Sequence, residues 1–260
     1  MLKISANISL LFTELPMLDR IKAACDEGFT AFELHFPYEI PIEELIKVVE
    51  KTKMNVSIFN FPAGDFPNGG PGIASISERE AHFRASVAEA RMYVEALKPY
   101  GVNMLSGCPL KYTKKKLGEK IFIKNLIYAA QRFQDTNTLM LIEPINLYDR
   151  PNYLINTTFE AIEIIKKSQL QNVKVLFDIY HMHRMGEDIK KTIINNFSYI
   201  GHIQFADYPG RNQPGTGKIK FEEIFNTLKK LKYDRWIGAE YNPKSTTYNS
   251  LSWLTQFGFI

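Results

Sequence analysis

Only two cysteines, Cys25 and Cys108, occur in 260 residues, with no CxxC spacing and no second pair. That excludes a disulfide framework and a thiolate zinc site, and it fits a reducing compartment, so a cytoplasmic location is the expectation. Long apolar runs are missing as well. No window approaches 18 apolar residues, and the opening MLKISANISLLF is too short and too polar for a secretory signal. No membrane partner is expected. Excess charge of one sign is lacking too, since 32 Lys and Arg stand against 28 Asp and Glu for a formal charge of +4. Such a balance suits a small anion at least as well as a polymer. The one basic block, KYTKKK at 111–116, stands alone and reads as a solvated helix start, so no nucleic-acid partner is expected. Finally, no glycine-rich fingerprint follows the first strand, where ISLLFTELP stands instead. The dinucleotide-binding open sheet thereby loses the motif it needs.

What the chain does have is alternation. Short β-branched or aromatic runs occur at 3–9, 31–36, 55–61, 103–107, 139–144, 174–179, 201–207 and 236–243, with helical-period segments between them. In SEREAHFRASVAEARMYVEAL, Ser77 and Glu80 read as a capping box, and Phe83, Val87, Ala90, Val94 and Leu97 form one stripe. Thr157 and Glu160 open another helix in the same way. Phe221, Ile224, Phe225, Leu228 and Leu231 stripe a third. Eight strand–helix units in a chain of this length predict a (β/α)8 TIM barrel forming a single domain over 1–260.

In that fold the chemistry sits at the C-terminal ends of the strands. Glu143 ends the fifth run, Asp178 the sixth and Glu240 the eighth, while Gln204 lies in the seventh. They recur about one βα unit apart, so they fall at a similar height around one mouth. Alternation turns Asp178 and Glu240 inward, because Val175, Phe177, Ile237, Ala239 and Tyr241 occupy the outward positions. Three carboxylates brought together without compensation are strongly unfavourable, so a divalent cation is the natural partner. All-oxygen ligation points to Mg²⁺ or Mn²⁺, and Gln204 adds a neutral carbonyl ligand without a fourth negative charge. His181, three residues after Asp178, and Arg211, in the turn PGRNQPGTG, are placed to grip the oxygens or the carboxylate of a substrate. His202 shares a face with Gln204, whereas His183 and His82 read as surface residues, and the inward Glu33 and His35 remain open between structure and function.

The segments ISANISLLFTE, FPAGDF, LIEPIN, FDIYHMHRM, GHIQFADYPGRNQPGTG and IGAEYNP span nearly the whole chain, and through them it resembles the hydroxypyruvate isomerase family of the xylose isomerase-like barrel superfamily. The resemblance implies an acid/base pair at Glu143 and Glu240 and a metal shell of Glu143, Asp178, Gln204 and Glu240. It also implies that His181 and, within about one position, Arg211 contact the substrate. The chain departs from the family pattern at Asn242, Lys244, Gln213 and Lys218, which lie on the loops around that substrate. A glutamine at position 204 and only five histidines argue against the trinuclear zinc endonucleases that share the fold.

The implied reaction moves a hydrogen between adjacent carbons, by proton abstraction α to a carbonyl through an enediolate. The expected substrate is a small anionic hydroxy-oxo acid, with 2-oxo-tetronate isomerisation or ketose 3-epimerisation as the alternative. A barrel that only binds a sugar acid, or a nucleic-acid enzyme, comes last. The long loop FPAGDFPNGGPGIASIS at 61–77 is expected to be a lid or a wall of the site, with Phe61, Phe66 and Ile73 seeking something to pack against. Oligomeric state is left open, a homo-oligomer included.

Overall fold

The alternation closes on itself in the computed structural model, which describes residues 2–260. Eight parallel strands pair in sequence order, and the last pairs with the first. They are β1 (Lys3–Asn7), β2 (Ala31–Leu34), β3 (Asn55–Asn60), β4 (Gly101–Asn103), β5 (Leu139–Ile142), β6 (Val173–Asp178), β7 (Ile200–Phe205) and β8 (Trp236–Ala239). The outer helices are α1 (Met17–Asp26), α2 (Ile42–Thr52), α3 (Glu80–Leu97), α4 (Lys115–Arg132), α5 (Thr158–Ser168), α6 (Ile179–Arg184), α7 (Ile189–Asn196), α8 (Phe221–Lys230) and α9 (Ser252–Gln256). This is the expected TIM barrel. No helix among the described residues is long and apolar enough to cross a membrane.

Strand alternation sorts the residues as the pattern requires. Val175 and Phe177 pack outward in the main core, whereas Leu176 joins Ile58 and Leu141 in a separate apolar plug inside the barrel. Fully buried aromatics such as Phe177 and Phe205 each stabilise the fold by about 1.5–3 kcal/mol. The stripe of α3 is buried throughout, as are Phe221, Ile224, Phe225 and Leu228 of α8. The lysines around the start of α4 are exposed, in keeping with a solvated helix start.

Two local expectations fail. The run 103–107 is not the fourth strand. β4 ends at Asn103, the Met104 N–H still donates to the Leu141 carbonyl of β5, and Leu105 to Gly107 then leave the sheet as buried wall, so burial produced a strand-like pattern beyond the strand. Ser77 and Glu80 form no capping box either. Ser77 starts a short 3-10 turn, Arg79 is the cap residue of α3, and no side chain caps it. Arg79 instead binds Asp65 Oδ1 at 2.7 Å and the Gly72 carbonyl at 2.8 Å, tying the helix start to the long loop. The second box does form in part, with Thr157 Oγ1 accepting from the Glu160 N–H.

Candidate active site

Side chains at or just past most of the strand ends line one cavity of about 430 Å³. Glu143 and Glu240 follow β5 and β8 directly, Gln204 lies within β7, and all three line the cavity together with His181 and Arg211. Asp178 lies beside them, with Oδ2 3.6 Å from His181 Nε2 and 3.9 Å from Arg211 Nη2. All six predicted residues therefore meet in one place.

Local structure explains how each is presented. Asp178 is both the last residue of β6 and the N-cap of α6, so no loop intervenes. Its Oδ1 accepts from the Tyr180 and His181 N–H groups, while Oδ2 is buried with no partner. Gln204 is oriented by Glu33, whose Oε1 accepts from Gln204 Nε2 at 2.7 Å, leaving Gln204 Oε1 buried and unpartnered. Glu33 also accepts from His202 Nε2 and Asn7 Nδ2, which makes it the centre of a polar layer above the apolar plug. A side chain at position 238 has no room there, because a Cβ on Gly238 would lie 2.4 Å from the Glu33 carboxylate oxygens.

The β7–α8 turn is built around Asp207, which accepts from the N–H groups of Tyr208, Gly217 and Ile219. That turn carries Arg211 in left-handed backbone, φ 53°, and aims its guanidinium back at Glu240 Oε1, 3.1 Å away. The same Glu240 oxygen meets His35 Nε2 at 2.9 Å, while its Oε2 accepts no hydrogen bond among the described residues. Glu143 Oε2 accepts from Asn103 Nδ2 at 2.8 Å. His181 is set by Asn146, whose Oδ1 accepts from the Tyr148 and Asp149 N–H groups. With that oxygen engaged, Asn146 Nδ2 donates to His181 Nδ1 at 2.6 Å, so the neutral ring carries its proton on Nε2 and aims it at the carboxylates.

The electrostatics divide the acids. Burial, then the charges of Glu240 and Asp178, raise Glu143 well above the usual carboxylate range. Burial and Glu240 push Asp178 up to about 7 against the pull of Arg211. Burial also acts to raise Glu240, but Arg211 and then His35 more than offset it and hold it at about 2. His181 is lowered to about 3, by burial first and Arg211 second, and is neutral at ordinary pH. Environments that drive two facing carboxylates apart set up a base and an acid.

The donor set suits a hard cation. Glu143, Asp178 and His181 each offer a ligand atom within 4.8 Å of the others, and among the unpartnered buried oxygens those of Asp178 and Gln204 are carboxylate and carbonyl. His181 with its proton on Nε2 cannot also ligate through that nitrogen, so the oxygen donors carry the fit.

Sequence reasoning did not find several residues that shape the site. His35 holds Glu240 and Glu33 holds Gln204, and these two were seen as inward but given no role. Asn103, Asn146, Asp149 and Arg150 were not singled out. Asn146 and Asp149 had a weak signal, since they flank a turn directly after a strand ending in a carboxylate. Phe61, Phe66 and Ile73 are buried, as the loop reading expected, and Phe66 and Pro67 form part of the cavity wall.

The sequence profile of the xylose isomerase-like TIM barrel matches residues 21–257. The chain is 38% identical to the hydroxypyruvate isomerase of Escherichia coli K12 over 99% of its own length and 100% of that protein. It is 33% identical to the 2-oxo-tetronate isomerase of Pectobacterium atrosepticum, over 96% of each. Among solved structures, a protein from Brucella melitensis described as an AP endonuclease, family 2, superposes with a TM-score of 0.95 at 32% identity, over 99% of both chains.

Proposed function

Starting from the chain's membership of the xylose isomerase-like TIM-barrel family, we propose that it is a metal-assisted isomerase interconverting hydroxypyruvate and tartronate semialdehyde (2-hydroxy-3-oxopropanoate). The observation that carries this reading is the pair Glu143 and Glu240, which face one cavity where burial raises the first carboxyl and Arg211 holds the second down, beside two unpartnered buried oxygens. Whole-length similarity to named isomerases of short oxo acids supports it.

Glu143, Asp178, Gln204 and Glu240 would hold a divalent cation, Mg²⁺ or Mn²⁺ by the chemistry of the donors. When bound, such an ion supplies positive charge that stabilises an enediolate and lets Asp178 ionise beside Glu240. Glu240 is the base: Arg211 and His35 keep it ionised through Oε1, and its unengaged Oε2 takes the proton from the carbon next to the carbonyl. Glu143, on the other side, returns a proton to the adjacent carbon. His181 donates a hydrogen bond from Nε2–H to the substrate oxygens, between which the hydroxyl proton passes, and Arg211 spans Glu240, Asp178 and those oxygens with a planar fork. General acid/base assistance of this kind is worth about 10²- to 10⁴-fold.

A second reading, isomerisation of 2-oxo-tetronate, is favoured by the similarity to the Pectobacterium protein. Product analysis on hydroxypyruvate, 2-oxo-tetronate and ketohexoses, run in D₂O with Mn²⁺, distinguishes the two. Isomerisation of hydroxypyruvate with deuterium entering the carbon skeleton is the expected result. Turnover of ketohexoses alone would overturn the proposal.

A further inference from the structure

The site holds a cation that the reaction scheme leaves unused. Arg150, in the loop between β5 and α5, lines the cavity. Its Nη2 donates to two carbonyls of the 61–77 loop, Phe66 O at 3.0 Å and Gly70 O at 2.8 Å, and its guanidinium lies 4.0 Å from the centre of the Phe66 ring. Nε is buried without a partner, and Nη1 has no protein acceptor among the described residues.

The other arginines around the site are balanced. Arg211 faces Glu240 and Asp178, Arg184 pairs with Asp149, and Arg79 pairs with Asp65. Arg150 has no carboxylate within 4.0 Å among the described residues. A half-buried guanidinium clamped in one orientation, with its charge uncompensated, is a site prepared for an anion. Elsewhere in the cavity the carboxyls of Glu143, Asp178 and Glu240 converge, with Arg211 turned to two of them. A substrate carboxylate finds a positive group without a carboxylate partner at the Arg150 wall.

We propose that Arg150 anchors the carboxylate of a short 2-oxo acid and so sets the preference of the site for anionic acids over neutral ketoses. This rests on the isomerase reading above for its catalytic readout, but the anchoring itself does not. The carboxylate binds at the Arg150 wall, which leaves the carbonyl and hydroxyl end of the molecule facing Glu143 and Glu240. Arg150 therefore fixes which end of the substrate reacts.

The test compares hydroxypyruvate with dihydroxyacetone, the neutral analogue that carries a hydroxymethyl group in place of the carboxylate. In Arg150→Gln the ratio of kcat/KM for hydroxypyruvate to that for dihydroxyacetone falls roughly 10- to 100-fold, the range of a charge-assisted contact to a carboxylate. Arg150→Lys, which keeps the charge but not the double carbonyl clamp, recovers part of the ratio. Calorimetric binding of D-glycerate to the Mn²⁺-loaded protein provides a readout independent of turnover, and its Kd rises about tenfold or more in Arg150→Gln. Equal losses on both substrates, with glycerate affinity unchanged, would overturn the proposal and leave Arg150 as a pin for the loop. If the wild type turns over neither substrate, the isomerase reading fails, and the glycerate comparison still decides the role of Arg150.

Discussion

Replacing Asp178 with Asn separates two roles of one side chain. Asn caps helices as well as Asp does, so the Tyr180 and His181 N–H groups keep an acceptor and the β6–α6 junction survives. The charge is what disappears. Burial and the neighbouring Glu240 raise this carboxyl from 3.8 to about 7 in the folded protein without a cation. Between about pH 4 and pH 7 the folded state thus binds a proton that the unfolded state has released, and the stability of the metal-free wild type falls as pH rises through that window. About three units at 1.36 kcal/mol each give a ceiling of about 4 kcal/mol. Relaxation and the lost attraction to Arg211, 3.9 Å away, reduce it, so Asp178→Asn is expected to stabilise the metal-free protein by about 1–3 kcal/mol at pH 8. In a chain of this size that is a Tm higher by roughly 2–6 °C, and the difference vanishes near pH 4. Saturating Mn²⁺ reverses the order: at a concentration of about 100 Kd it stabilises the wild type by about 2.7 kcal/mol, whereas the variant, short of a charged ligand, gains far less. Calorimetric melts from pH 4 to 8, in chelator and in Mn²⁺, read all of this. A variant less stable than wild type at pH 8 in chelator, or one with an equal Mn²⁺ shift, refutes the reasoning.

Four further substitutions probe the neighbouring groups. Glu143→Gln and Glu240→Gln keep a carbonyl oxygen but accept no proton at neutral pH, so each is expected to lower kcat by at least about 10²-fold with the cation retained. Starting from hydroxypyruvate, deuterium exchange at the carbon that loses the proton disappears in Glu240→Gln and persists in Glu143→Gln. Near wild-type turnover in either would leave that glutamate as a ligand only. Gly238→Ala puts a Cβ 2.4 Å from the Glu33 carboxylate oxygens, so Glu33 must shift and release Gln204. Cation affinity is expected to fall about tenfold and stability by about 1–3 kcal/mol, and unchanged calorimetric titrations would separate Gln204 from the cation. His181→Ala is expected to cost at least about tenfold in kcat/KM with cation affinity within about twofold. A tenfold loss of cation affinity would make His181 a ligand and reverse the tautomer assigned from Asn146.

The barrel and the ring of acids were legible because both follow from periodicity. Side chains alternate along a strand, so once Val175 and Phe177 face the helices, Asp178 must face inward, and the same step places Glu240. The misreading of 103–107 shows the limit of that signal. Buried wall and buried strand are equally apolar, and only hydrogen bonding distinguishes them. Caps read from the sequence alone fare no better where a loop competes for the helix start, as Arg79 does by turning to Asp65.

What the linear sequence conceals is the state of each group, because that is set by partners distant along the chain. Glu240 is held low by Arg211 and then by His35, 205 positions away, against its burial. Gln204 offers its carbonyl because Glu33, 171 positions away, takes its amide. His181 directs Nε2 inward because Asn146 donates to Nδ1. Arg150 faces the cavity because two carbonyls of the 61–77 loop, more than 79 positions earlier, fix its plane. Residue types at strand ends therefore specify which chemistry is available, while base, acid, ligand and anchor are distinguished only when the closed sheet brings β2 beside β1 and β8 beside β7. Closure of the barrel is thus itself part of the chemistry: opening the β8–β1 seam would separate Glu240 from His35 and remove one of the two contacts that keep the proposed base ionised.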